Sequence, residues 1–264
     1  MQNNKNKLTV IIPTICRHLL YHTALITSKE PDIDIIIVVD SQNAVSNLLL
    51  HLISDRVKVI YNDLVPGPGG TKMRGIEEVS TPYFTILDDD DWFISGYLKY
   101  ASYLLDNFPD CHWISSHNTS EDLGEFSLDY EIIDSLELIK KRYFDFEKYD
   151  THLEQLCPSH LIYRTKTFKN YILTGYHYKG YNNDDILPQT DFCFKYIGIN
   201  HRGYGYHYTR TPNSVMRSKV KVGLIQDKIM TISELASRGG DFGYLWARVL
   251  KNMLNIINYN NGKC

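Results

Sequence analysis

Apolar and polar positions alternate along the first 116 residues in two distinct rhythms. Short β-branched runs recur at Leu8 to Ile12, Ile33 to Val39, Val57 to Tyr61 and Tyr83 to Leu87. Each is too short for a helix and apolar enough to be buried on both faces, as strands of a parallel sheet are. Between them lie segments with helical spacing: His18 to Ser28, the Leu-rich Val45 to Ile53, and Thr71 to Val79 with Met73, Ile76 and Val79 on one side. Leu98, Ala101, Leu104, Leu105 and Phe108 predict a further helix, and Trp113 to Ser115 a fifth strand. Strand and helix in alternation predict an α/β fold with a mostly parallel sheet. Pro66-Gly67-Pro68-Gly69-Gly70 is expected to be loop, since prolines and glycines break elements.

Beyond about residue 121 the pattern loosens. His160 to Tyr163 and Tyr204 to Tyr208 read as strands and Pro188 to Ile197 as a helix. Two helices are expected to finish the chain, near Leu224 to Ala236 and Phe242 to Ile257. The domain is expected to occupy residues 1–217, with a nucleotide half at 1–116 and an acceptor half at 117–217. Residues 218–264 are expected to form a helical extension. Its last helix carries an apolar stripe (Phe242, Leu245, Trp246, Val249, Leu250, Met253) flanked by Arg238, Arg248 and Lys251. Such a stripe suits packing on the domain, a homodimer contact or a peripheral membrane contact.

Composition narrows the class. With 264 residues and 43% hydrophobic positions the chain can bury a sizeable core. A formal net charge of −3 gives no pull towards bare nucleic acid. Five cysteines without short paired spacing predict neither a disulfide framework nor a zinc site. No run of 18 apolar residues predicts a membrane span, and the polar start predicts no signal peptide. A cytoplasmic location is the expectation.

The candidate chemistry lies where strands end. Ligands of open α/β sheets bind beyond the carboxyl ends of the strands. Pro13 and Thr14 follow the first strand, Asp40 the second, and Asp88-Asp89-Asp90-Asp91 the fourth. Four adjacent carboxylates repel one another, and a hard divalent cation such as Mn²⁺ or Mg²⁺ removes that cost. A solvated acidic loop would carry the same residue type, but its place directly after a buried strand favours a cation site.

These segments together resemble glycosyltransferase family 2, a large group of GT-A enzymes. Val10-Ile11-Ile12-Pro13-Thr14 resembles the family's opening strand and Ile36-Ile37-Val38-Val39-Asp40-Ser41 its "IIVVDD" strand. Gly70-Thr71-Lys72-Met73-Arg74-Gly75-Ile76 resembles "G-A-R-N-x-G-I", and Pro82 to Asp91 resembles "G-x-Y-I-x-F-L-D-x-D-D". Pro188-Gln189-Thr190-Asp191-Phe192-Cys193-Phe194 stands where the family has "E-D-x-x-L", and the likeness runs over about residues 8 to 217.

The resemblance implies a GT-A fold, a Rossmann-like nucleotide-binding sheet flanked by helices. It also implies metal-dependent, inverting transfer from a nucleoside-diphosphate sugar, UDP-linked by preference, to an acceptor hydroxyl of a surface-glycan intermediate. Residue by residue, Asp40 would accept a hydrogen bond from the base, with Pro13 and Thr14 lining that pocket and Lys72 near the nucleotide. Asp88 and Asp89 would lie near the ribose, Asp90 and Asp88 would hold the metal, and Asp191 would be the general base. Asp184 and Asp185 are alternatives for that last role. The family's late "Y-x-R-x-H-x-x-S" lacks its histidine in Tyr208-Thr209-Arg210-Thr211-Pro212-Asn213-Ser214, and His207 could replace it by a register shift. Nucleotidyl transfer would need a Gly-rich loop after strand one, which Pro13 to Arg17 lacks. A non-catalytic sugar-nucleotide or partner-binding domain, and an acceptor as unusual as a modified nucleic-acid base, remain the alternatives.

Overall fold

The computed structural model describes residues 6–40, 53–119, 127–135, 160–173, 192–193 and 195–209. Within them the alternating start of the chain becomes β1 (Leu8–Thr14), α1 (Leu20–Ser28), β2 (Ile33–Val39), β3 (Val57–Tyr61), α2 (Pro68–Glu78) and β4 (Tyr83–Ile86). Next come β5 (Trp92–Phe93), α3 (Tyr97–Asn107), β6 (Trp113–Thr119), β7 (Tyr130–Ile133), β8 (Ile162–Arg164), α4 (Thr165–Leu173) and β9 (Gly198–His207).

All nine strands join one sheet in the order β3-β2-β1-β4-β8-β6-β9-β5, with β7 also paired to β9. The first four are parallel, as their unbroken apolar runs require: Val10, Ile11, Ile12, Ile35, Ile37, Val38 and Val39 are all buried. Beyond β4 the sheet is mixed rather than parallel. β8 is antiparallel to both β4 and β6, β9 is parallel to β6, and β5 and β7 are antiparallel to β9. The chain winds from β1 through β2 to β3 on one side, then returns to place β4 on the other side of β1. In open α/β sheets such a reversal marks the ligand-binding crevice, which here falls beyond the carboxyl ends of β1 and β4.

Several expectations shift. The Pro-Gly segment is not all loop, because α2 starts at Pro68. A proline in the first helical turn gives up an N–H that has no helical partner anyway. Gly67 before it takes φ 107°, a conformation that needs glycine. The strand expected at His160 to Tyr163 is Ile162–Arg164, running straight into a helix the pattern did not predict. β5 and β7 were not expected either, being short strands without alternation. The expected helix at Val45 to Ile53, most of that at Pro188 to Ile197 and the whole extension at 218–264 lie outside the described residues. Among the described residues no helix is long and apolar enough to cross a membrane.

Candidate active site

Register brings the strand ends level. Thr14 pairs with Val39, the Asp40 N–H donates to the Thr14 carbonyl at 2.9 Å, and the Leu87 N–H donates to Ile11 at 2.8 Å. Asp40 and the start of the acid run therefore emerge on either side of the end of β1. Asp40 is buried; its Oδ2 accepts the Gly67 N–H at 2.9 Å, while Oδ1 has no hydrogen-bond partner among the described residues. An unsatisfied buried acceptor costs about 1–3 kcal/mol, which an incoming N–H donor would recover. Pro13 stands half-buried within β1, and Lys72 is buried near the start of α2.

The four aspartates occupy four different environments. Asp88 is exposed. Asp89 is buried, accepts the Thr14 hydroxyl at 2.5 Å and lies 3.4 Å from the Arg17 guanidinium. Burial raises its pKa against the lowering effects of Thr14 and Arg17. Asp90 lies 3.3 Å from Arg17, and its pKa is pushed up to about 6, first by burial and then by the charge of Asp91. Asp91 is fully enclosed. Its Oδ1 accepts the Thr209 N–H at 2.8 Å, and its Oδ2 lies 2.8 Å from His160 Nε2.

His160 stands just before β8 with φ 55°, a left-handed conformation uncommon outside glycine. Its Nδ1 is 2.9 Å from the Ile86 carbonyl, which can only accept. Nδ1 therefore carries a proton, and Nε2 faces the Asp91 carboxylate. Burial alone would lower the His160 pKa, but bonding to Asp91 and the charges of Asp91 and Asp88 outweigh it, and the net shift is upward. Tyr206 and Phe93 pack edge-on around the ring at 4.4 and 6.2 Å.

Ligand atoms of Asp88, Asp91 and His160 lie within 4.8 Å of one another, a set that could hold a metal ion. Two carboxylates and one imidazole suit a divalent cation, and the Ile86 carbonyl on Nδ1 orients the ring so that Nε2 faces the site. The donor set fits, provided that the cation displaces any proton on Nε2.

Thr14, Asp88, Asp89 and Asp90 thus meet at one crevice, with Asp40 across the end of β1. His207 lies in β9, where its ring stacks on Trp92 at 4.0 Å, and it does not belong to the group that could hold a cation. Asp191, Asp184 and Asp185 lie outside the described residues. Sequence reasoning passed over His160, Arg17 and the tethered role of Asp91. The histidine that lies with two of the carboxylates is His160, and a single histidine ahead of a three-residue strand gives no periodic signal.

Comparison with known proteins gives concordant results. The family model described as "Glycosyl transferase family 2" matches residues 9–172, more than half of the chain. GalNAc(5)-diNAcBac-PP-undecaprenol beta-1,3-glucosyltransferase of Campylobacter jejuni is 36% identical over 102 residues. That match covers 35% of this chain and 32% of the relative, so the chain matches about a third of its length. Crystal structures of S. aureus TarS 1-349, alone and in complex with UDP-GlcNAc, superpose with TM-scores of 0.59 and 0.60. Identity is 14%, and the alignments cover 96% of this chain and 72% of those chains. At that identity the likeness speaks for the fold alone.

Proposed function

The chain belongs to glycosyl transferase family 2, and from that premise we propose that it transfers one sugar, with inversion, from a UDP-sugar to an acceptor hydroxyl. The observation that carries this proposal is the convergence of Thr14, Asp40 and the acid run at the crevice where the strand order turns. Support for the donor class comes from the TarS neighbour solved with UDP-GlcNAc. The Campylobacter relative is named for glucosyl transfer to a PP-undecaprenol-linked glycan. A surface-glycan intermediate is accordingly the acceptor we propose, with the enzyme on the cytoplasmic side and its C-terminal stripe as a dimer or peripheral membrane contact.

In this mechanism the free Oδ1 of Asp40 accepts an N–H of the base, with Pro13 and Thr14 lining the pocket and Lys72 near the nucleotide. Asp88 and Asp91 with His160 are the residues that would hold Mn²⁺ or Mg²⁺. Asp88 is common to this group and to the sequence-derived set of Asp88, Asp90 and His207. When bound, the cation supplies Lewis-acid stabilisation of the leaving nucleoside diphosphate. Asp191 takes the proton of the acceptor hydroxyl as that oxygen attacks C1. The new C1–O bond forms opposite the breaking C1–O(phosphate) bond, the diphosphate leaves with the electron pair, and configuration inverts.

A thermal-shift screen of UDP-, GDP- and dTDP-sugars with and without Mn²⁺ tests the donor, since specific binding raises the melting temperature by mass action. UDP-sugars should give the largest shift, and only with the metal; a screen without any shift would overturn the proposal. Asp191→Asn should keep donor binding and lose transfer by about a hundredfold or more, the usual contribution of a general base. Near-wild-type turnover would move that role to Asp184 or Asp185.

A further inference from the structure

Arg17 has no role in the chemistry above, yet it touches the acid run twice. Its Nε lies 3.4 Å from Asp89 Oδ1 and its Nη1 lies 3.3 Å from Asp90 Oδ2. Charge-assisted bonds between guanidinium and carboxylate normally close to about 2.7–2.9 Å, so both contacts are loose. The contrast with Asp91 is plain, since both of that residue's oxygens are engaged at 2.8 Å. The Arg17 side chain is 40% exposed, although Asp89 beneath it is 2% exposed. Among the described residues its Nη2 has no partner. The outer edge of the fork, with its own N–H donors, is therefore available.

Position gives this free edge a purpose. Along the sheet β1 lies between β2 and β4. Asp40 follows β2, the acid run follows β4, and Arg17 stands in the loop after β1. That loop is anchored in place, because the Cys16 N–H donates at 2.8 Å to the same Thr14 hydroxyl that bonds Asp89. A ligand with its base at Asp40 and its reacting end at the acid run must pass the loop with the atoms between the two, which in a nucleoside diphosphate are the phosphates.

Charge favours such a contact. Asp88, Asp89, Asp90 and Asp40 lie about the path of an entering dianion, while Asp91 is enclosed, and one divalent cation offsets only two charges. A guanidinium fork matches phosphate oxygens bidentately, which an ammonium does not.

We propose that Arg17 is a phosphate-binding residue for the donor. It rests loosely on Asp89 and Asp90 until a nucleoside diphosphate enters and its outer edge takes the phosphate oxygens. This builds on the nucleoside-diphosphate donor proposed above, and the test separates the two. The full-length chain is titrated calorimetrically with UDP and with UMP at fixed Mn²⁺, with GDP and dTDP alongside, for wild type, Arg17→Ala and Arg17→Lys. Arg17→Ala should weaken UDP by about tenfold or more and UMP by less than about threefold, and Arg17→Lys should fall between, keeping the charge and losing the fork. If UDP and UMP weaken equally, Arg17 merely props the loop and the proposal fails. It also fails if Arg17→Ala binds UDP like wild type while wild type binds it well, and in that case the donor class stands. A wild type that binds no nucleoside diphosphate overturns both. Should Arg17→Ala not fold, the UDP-to-UMP affinity ratio of Arg17→Lys decides alone, a ratio equal to that of wild type being the negative result.

Discussion

In β2 every residue except Asp34 is aliphatic and β-branched, and all but Asp34 are buried. On the other side of the acid run a chain of aromatic rings runs among buried aliphatics such as Ile114, Leu161 and Ile162. Phe84 contacts Tyr163 and Phe168 at 5.1 and 5.2 Å between ring centroids. Phe168 continues to Phe192 at 4.9 Å, and Phe192 to Tyr196 at 4.5 Å. Trp113 is wholly buried in β6 and donates its indole N–H to the Tyr196 carbonyl at 2.8 Å. A small lift of one helix relieves a crowded methyl on the aliphatic side, whereas interlocked rings with a bonded polar handle must move together. The nucleotide side should therefore forgive small changes of volume, and the far side should not.

A pair of matched substitutions tests this most severely. In Gly198→Ala the new methyl carbon would lie 2.0 Å from Trp113 Cε2 and 2.1 Å from Cδ2. The ring is pinned by its indole bond, so a loss of about 3 kcal/mol is expected, at the upper end for overpacking. In Gly75→Ala the methyl would meet the branch methyls Ile11 Cγ2 at 2.4 Å and Val38 Cγ2 at 3.0 Å, so α2 must lift slightly off the sheet, at about 2 kcal/mol. Alanine also gains about 1 kcal/mol over glycine inside a helix, so the net loss should stay near 1 kcal/mol. Urea denaturation midpoints measure both, and equal losses would erase the contrast between the two sides.

The charged groups divide in the same way, and here the signs should differ. Asp91 is tied by His160 and Thr209, groups of the aromatic side. Asp91→Asn can keep all three bonds, with His160 protonated on Nδ1, Nε2 accepting the amide N–H and the amide oxygen accepting the Thr209 N–H. It therefore trades charge-assisted bonds for neutral ones, at about 1 kcal/mol. Asp90 faces the nucleotide side with only the loose Arg17 contact, and burial holds its pKa at about 6 against the ordinary 3.8. The folded state therefore binds the proton more tightly than the unfolded chain. Stability is lost as pH rises from about 4 to about 6, and the loss persists above that window. Asp90→Asn removes the loss, so the metal-free variant should be about 1–2 kcal/mol more stable than wild type at pH 7 and no more stable at pH 4. Denaturation in a chelator at both pH values is the check, and a destabilised Asp90→Asn at pH 7 would refute the burial argument.

The same division explains what could be read in advance. β2 begins and ends where its apolar run does, because a strand buried on both faces leaves an unbroken signature, and the edge strand β3, with only Val57 buried, is still marked by its β-branched residues. Asp40 and the acid run were legible for the same reason, standing directly after such runs. β5, with two residues, and β8, with three, are held by partners far away in sequence, Tyr206 and His207 for the one and Tyr83 to Thr85 for the other. No local rhythm marks such pairings. His160 belongs to that class: its place beside Asp91 depends on the antiparallel return of β8 along β4. Arg17 was overlooked for another reason, since a lone arginine in a loop looks solvated until the sheet order places it between Asp40 and the aspartates.

The smallest expected effect sharpens the comparison at the surface of the nucleotide side. Glu78 at the end of α2 accepts from Lys58 of β3 at 2.5 Å and from Arg74 at 2.6 Å. These two hydrogen bonds, Lys58 first, hold its pKa down to about 2 against the ordinary 4.5. A depressed carboxylate stabilises the fold above its unfolded value, and that contribution is lost as pH falls from about 4.5 towards 2. Lys58 is 58% exposed, however, and solvent screens the pair. Glu78→Gln should then cost only about 0.5 kcal/mol at pH 7, less in high salt, and nothing near pH 2. A cost at pH 7 matching that of Asp91→Asn would mean that exposure does not separate the two pairs, and that the helix depends on this contact rather than on Ile76 and Gly75 packed over the strands.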